Sequence, residues 1–227
     1  MKPLAWVSGL VGIALIRNTK IGRMELFENK ADPSKNILPA DGIVNYYGKI
    51  LSHKDANHYY EMLRKTVEWQ NDEAIIFGKK IITKRKVAWY GDKPFSYTYS
   101  KVTKNALPWT PELVELKSLI EKKSKETYNS CLLNLYHNGS EGMAWHSDGE
   151  KDLKKDGAIA SVTLGVERKF GFKHKESKEV VSLILEHGSL LIMRGATQSH
   201  WLHRLPPTKK VFGARVNLTF RTIENQV

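Results

Sequence analysis

Two stretches of the chain place apolar residues at helical spacing. Beyond Ser52, the residues Tyr59, Met62, Leu63 and Val67 fall on one helical face, and Asp55 stands three positions after the serine, as a capping box requires. A second amphipathic helix is announced by Thr110-Pro111-Glu112, a capping hydroxyl followed by proline at the first helical position. It turns Leu113, Leu116, Leu119 and Ile120 inward. From residue 131 onward the period shortens. Runs of β type at 131–136, 159–164, 169–173, 180–185, 189–193 and 211–221 are broken by Gly, Asn or Pro. Six such runs at close spacing predict a mainly β domain, a sandwich or barrel, with the helices as outer scaffold.

The last run alternates strictly. Arg215, Asn217, Thr219 and Arg221 interleave with Ala214, Val216, Leu218 and Phe220, so one strand face is polar and the other apolar. A half-buried sheet usually turns its aliphatics inward, and two arginines on one face then require either solvent or an anionic partner. Asn134 and Tyr136 alternate in the same way within the run at 131–136. A dicarboxylic acid would satisfy such a face, because a guanidinium grips carboxylate through a two-pronged fork and two arginines can serve its two ends.

Length and charge narrow the setting. A chain of 227 residues fits a single domain with a sizeable core. Lys and Arg outnumber Asp and Glu by 36 to 24, a net charge of +12, which suits a polyanion such as nucleic acid, with solubility alone as the bland alternative. The single cysteine, Cys131, excludes an internal disulfide and suits a reducing compartment, cytoplasm or nucleus. Residues 3–16 are apolar but shorter than a membrane span of about 20 residues. They carry no small-residue cleavage site, and Met24 opens ordinary polar sequence. Residues 1–23 are therefore read as an extension whose translation is in question, and residues 24–227 as one domain with no membrane role.

His146-Ser147-Asp148 sets an imidazole and a carboxylate two positions apart, on one face of an extended segment. Two histidines and a carboxylate on one side of a metal leave positions open for cosubstrate and oxygen, the arrangement of non-haem Fe(II) oxygenases. The third ligand has four candidates downstream: His174, His187, His200 and His203. The tripeptide alone is a weak signal.

Asn134-Leu135-Tyr136, His146-Ser147-Asp148, His200-Trp201-Leu202-His203 and the block from Arg215 to Arg221 together resemble, in order and spacing, the signature blocks of the AlkB family of nucleic-acid dealkylases. The resemblance runs from about Ile75 to Ile223 and is nearest the animal DNA-repair branch. It implies a double-stranded β-helix, or jelly roll, with Fe(II) held by His146, Asp148 and His203, and His200 in a supporting role. It implies that Arg215, Asn217 and Tyr136 hold the distal carboxylate of 2-oxoglutarate, while Arg221 and Asn134 hold the carboxylate beside the keto group. With O2 as the second cosubstrate, the implied activity is oxidative demethylation of 1-methyladenine and 3-methylcytosine in DNA, the hydroxylated methyl leaving as an aldehyde.

An alkylated base inside a duplex must be flipped out, which costs a few kcal/mol and less at a damaged pair. Trp89-Tyr90-Gly91-Asp92 and Ser96-Tyr97-Thr98-Tyr99-Ser100 resemble the family's nucleotide-recognition segment. Trp89, Tyr97, Tyr99 and Ser100 are thereby expected to bind the base, with Glu150 at its edge. The alternative is that these aromatics only pack the core. Phe77, at an apolar hairpin tip beside Lys79, Lys80, Lys84, Arg85 and Lys86, is placed to intercalate while the charges meet phosphates. The expected partner is DNA, with RNA as the alternative, and the expected state is a monomer. Two rivals are a hydroxylase of protein or small molecules and a nucleic-acid-binding module without catalysis. Retention of all three ligands and both arginines argues against the second.

Overall fold

The computed structural model describes residues 31–76, 79–99 and 102–224. The apolar extension at 1–23, Phe77 and Ser100 lie outside the described residues. Strands and helices follow in the order β1 (Ile43–Lys49), α1 (His53–Thr66), β2 (Gln70–Ile76), β3 (Lys79–Gly91), β4 (Ser96–Tyr99), β5 (Val102–Asn105), β6 (Leu107–Pro108) and α2 (Pro111–Ser124). The rest are β7 (Ser130–Tyr136), β8 (Met143–His146), β9 (Ile159–Gly165), β10 (Arg168–His174), β11 (Val180–Leu185), β12 (Ser189–Arg194), α3 (Thr197–His200), β13 (Trp201–Leu205) and β14 (Arg215–Arg221).

Both anticipated helices begin where their caps stand. The Ser52 hydroxyl accepts from Asp55 N and the Thr110 hydroxyl from Leu113 N, satisfying amides that the first turn leaves unpaired. Leu113, Leu116 and Ile120 are buried as expected, whereas Leu119 is only partly so.

A large sheet runs in the order β1-β12-β9-β14-β7-β3-β2, with β6 alongside β3. A smaller one runs β11-β10-β13-β8, and β4 pairs with β5. The eight strands from β7 to β14 divide equally between the two main sheets. The chain changes sheet at every step except the β10–β11 hairpin, which is the winding of a double-stranded β-helix.

β14 sits between β7 and β9, paired along its length on both sides. Its apolar face, Val216, Leu218 and Phe220, joins Cys131 and Leu133 of β7 and Ala160, Val162 and Leu164 of β9 under Leu63 of α1 and Leu113, Leu116 and Ile120 of α2. The main core therefore lies between the large sheet and the helices, each buried Leu or Phe contributing roughly 1.5–3 kcal/mol. A smaller cluster, including Phe172, Leu185 and Trp201 against Val44, Leu191 and Met193, joins the two sheets. The opposite, polar face of β14 is thereby turned into the sandwich, and the solvated edge is excluded.

The expected run at 211–221 starts only at Arg215, because the backbone before it pairs elsewhere. Gly139 N donates to Val211 O, and Val166 N to Ala214 O. Gly165 closes β9 at φ +89°, where a Cβ would lie 2.4 Å from Ala214 O, so no side chain fits. β1, β8 and β13 were not anticipated as strands; they are too short or too mixed to show a period.

Leu218→Ala removes buried apolar volume from the helix-facing core only. It should cost about 2–5 kcal/mol in urea unfolding while divalent-metal affinity of the folded protein stays unchanged.

Candidate metal and cosubstrate site

His146 ends β8, and its cross-strand partner on β13 is His203. Their rings lie 4.2 Å apart. Asp148, two residues past the strand, brings Oδ1 to 3.7 Å from Nε2 of each histidine. One ligand atom from each of the three residues falls within 4.8 Å of the others, the one such cluster found among the described residues. His146 Nδ1 lies 2.9 Å from Ala144 O. A carbonyl only accepts, so Nδ1 carries the hydrogen and Nε2 keeps its lone pair for a metal.

His203 is packed beside Phe170 and Phe172. Burial pushes its pKa down to about 4 against the opposing pull of Asp148, so the ring is a neutral donor at physiological pH. Burial alone would raise the Asp148 carboxyl. The Arg221 guanidinium and the two histidines outweigh it and hold the group below the usual carboxylate range. Arg221 donates through Nε and Nη2 to Asp148 Oδ2, at 3.0 and 2.6 Å, which leaves Oδ1 for the histidine side. The Asp148 backbone N–H donates to Gln198 Oε1 at 2.9 Å.

At the other end of the same β14 face, Arg215 is 2 % exposed. Its Nη2 donates to Thr163 Oγ1 and Asn217 Oδ1, at 2.8 and 2.6 Å. Its Nε has no hydrogen-bond partner, and no carboxylate among the described residues pairs with it. Burial pushes its pKa down to about 10. Tyr136 packs against this guanidinium, 5.6 Å from Cζ to ring centroid. Asn134, opposite Asn217 in the β7–β14 register, has an unpartnered buried Oδ1.

Two further arginines approach this end of the sandwich, and both are satisfied by the chain. Arg168 donates to the carbonyls of Asn138, Gly139, Glu141 and Pro206. Arg85 pairs with Asp72. Arg215 alone of the three keeps an open valence, and an anion fits it.

The base-binding candidates are more dispersed. Glu150 is exposed and borders a cavity of about 320 Å³ beside Asp148, which Arg221, Ile159 and Gln198 also line. Tyr97 and Tyr99 lie in β4. Trp89 donates its indole N–H to Ser130 Oγ at 2.7 Å and packs on the cluster of Phe95, Ala106 and Ile223, which gives it a packing role in the wall. His200 stacks on His174 rather than joining the metal cluster. Gln198 escaped the sequence reading, and so did the roles of two arginines: Arg85, expected with its neighbours to meet phosphate, pairs with Asp72, and Arg168 grips carbonyls. A lone glutamine in a turn carries no periodic signal, and the two arginines resemble ordinary surface charge until the fold buries them.

The sequence pattern of the 2OG-Fe(II) oxygenase superfamily matches residues 43–221, from the first residue of β1 to the last of β14, and the chain belongs to that family of Fe(II)-, 2-oxoglutarate- and O2-using enzymes. Within it the AlkB-type resemblance holds. Human DNA oxidative demethylase ALKBH2 is 37% identical over 206 residues, covering 86% of this chain and 79% of that protein. Human alpha-ketoglutarate-dependent dioxygenase alkB homolog 3 is 39% identical over 187 residues, covering 78% of this chain and 65% of that protein. The solved structure of OsALKBH1 is similar in fold, with a TM-score of 0.55 at 17% identity over 82% of this chain and 99% of that one.

Asp148→Ala should abolish stoichiometric Mn(II) binding in calorimetric titration while leaving the circular dichroism spectrum intact. Retained binding would show that the metal sits elsewhere.

Proposed function

We propose that this protein oxidatively removes N-linked alkyl groups from nucleobases in DNA. The observation that carries the reading is the buried Arg215 guanidinium, without a carboxylate partner among the described residues, on the same strand face as the Arg221 that grips metal-cluster residue Asp148. In this reading His146, Asp148 and His203 hold Fe(II). Arg215, Asn217 and Tyr136 hold the distal carboxylate of 2-oxoglutarate, and Arg221 and Asn134 stand at the carboxylate beside the keto group. When bound with 2-oxoglutarate and O2, the iron supplies the oxidising power that hydroxylates the carbon attached to the base nitrogen.

The chain's own groups do the positioning. Ala144 O fixes the His146 tautomer, Arg221 and Gln198 fix Asp148 from its carboxylate and its amide, and burial keeps His203 neutral. The hydrocarbon walls from Phe170 and Phe172 keep water from that side of the cluster. In this reading Glu150 accepts from an exocyclic amine of the base, Tyr97, Tyr99 and Ser100 stack on or contact it, and Phe77 wedges the duplex. Support for DNA comes from the relatives named above and from the net charge of +12. The expected working state is a monomer in cytoplasm or nucleus, consistent with a lone, fully buried Cys131. Among the described residues no helix is long and apolar enough to cross a membrane.

Protein loaded with iron without oxygen, then given 2-oxoglutarate, O2 and a duplex oligonucleotide containing 1-methyladenine, should return the unmodified mass. His146→Ala should abolish the reaction. Arg215→Met should raise the 2-oxoglutarate KM by about 30-fold or more, the effect of removing one member of a buried ionic contact. Succinate formed without repair of the duplex, of single-stranded DNA or of RNA would move the substrate away from nucleic acid.

A further inference from the structure

An ionic contact of the β2–β3 hairpin stands beside the same Tyr136. The pairing is regular at Gln70↔Val87 and Asn71↔Lys86, then jumps to Glu73↔Ile82. Thr83, Lys84 and Arg85 therefore stand opposite Asp72 alone, a bulge that bends the strand and re-aims its side chains.

Arg85 is the residue re-aimed. Its Nη2 pairs with the Asp72 carboxylate, and its Nη1 reaches Met143 Sδ at 3.4 Å, on the strand that ends in His146. Its Cζ lies 6.0 Å from the Tyr136 ring centroid. Arg215 lies 5.6 Å from the same ring. Tyr136 is thus flanked by two guanidiniums, of which Arg85 has its counter-charge within the chain and Arg215 has none among the described residues. The Arg85 and Asp72 side chains are only 12 and 18 % exposed, so the pair is screened little by solvent.

We propose that Arg85, held by Asp72, is a positioning residue for the pocket of the distal carboxylate, and that it couples cosubstrate binding to engagement of the β2–β3 hairpin by nucleic acid. The proposal rests on the assignment of Arg215, Asn217 and Tyr136 to that carboxylate and of the hairpin to nucleic acid. Asp72 prevents Arg85 from competing with Arg215 for the incoming anion and keeps Tyr136 seated against both. Asp72 and the bulge belong to the hairpin, whereas Tyr136 and Met143 belong to the pocket and to the metal-bearing strand. A nucleic acid that shifts the hairpin must therefore shift the arginine. Such coupling is reciprocal, so each ligand changes the affinity of the other by the same factor.

The test uses Mn(II)-loaded protein, N-oxalylglycine as an unreactive analogue of 2-oxoglutarate, and a duplex containing 1-methyladenine. Calorimetry gives the affinity for the analogue with and without saturating duplex. In the unaltered protein the duplex should tighten the analogue by about fivefold or more, with the reverse effect of equal size. In Asp72→Asn and Arg85→Met, both checked for folding by thermal melting, the factor should fall to about twofold or less, while Asp72→Glu should retain it. A loosely structural role would shift melting without changing that factor.

Equal coupling in the unaltered protein and in both disrupting variants would overturn the proposal, as would no coupling at all. Arg215→Met separates the two readings. Undiminished analogue binding in that variant removes the pocket assignment, whereas lost analogue binding with coupling intact in Asp72→Asn removes only the role of Arg85.

Discussion

Taking a guanidinium out of water costs several kcal/mol unless an anion and a full set of hydrogen bonds offset it. Arg215 meets only part of that requirement among the described residues. Thr163 and Asn217 accept from Nη2, Tyr136 lies against the plane, and Nε is left open. Much of the surrounding architecture follows from the need to keep such a group fixed while leaving it unsatisfied. β14 is central rather than at an edge, β9 supplies the Thr163 hydroxyl and β14 itself the Asn217 amide as acceptors, β7 lays Tyr136 beside the guanidinium, and Arg168 and Arg85 are each given other partners.

The polar face of β14 adds little apolar packing, and beside the smaller cluster between the sheets the larger share of buried apolar contact lies on the other side of the large sheet. The apolar side of the large sheet meets α1 and α2 in one cluster that contains none of the metal or arginine residues. One strand thus serves both ends: its odd-numbered residues carry chemistry and its even-numbered ones carry burial. The separation lets the site contain strained electrostatics without loss of the fold, since losses on one face of β14 are buffered by packing on the other.

How much of this the sequence disclosed depended on periodicity. The alternation in the last strand identified both arginines and narrowed their setting to solvent or an anionic partner, and it did so because a period of two survives whatever lies on either side. It left the direction open: nothing in residues 214–221 says that the polar face points in. That is decided by α1 and α2, whose inward leucines occupy the other side. The candidate metal cluster was approached through HxD and family-like blocks rather than through strand patterns, because β8 and β13 are short and carry their histidines among residues of mixed character. Gln198 and the Asp72–Arg85 pair were invisible for a different reason. Each depends on one contact across the fold, 50 residues away for Gln198 and through a bulge for Arg85, and no local pattern encodes it.

Arg168 grips only main-chain oxygens, from Asn138, Gly139, Glu141 and Pro206. A clamp that recognises carbonyls is indifferent to the side chains of the segments it joins. The turn between β7 and β8 and the segment after β13 can therefore exchange their exposed residues, including the protruding Phe212, without losing their anchorage to β10. These segments are in this sense a replaceable surface on a fixed mount, open to sequence drift without disturbing the strands that carry His146 and His203.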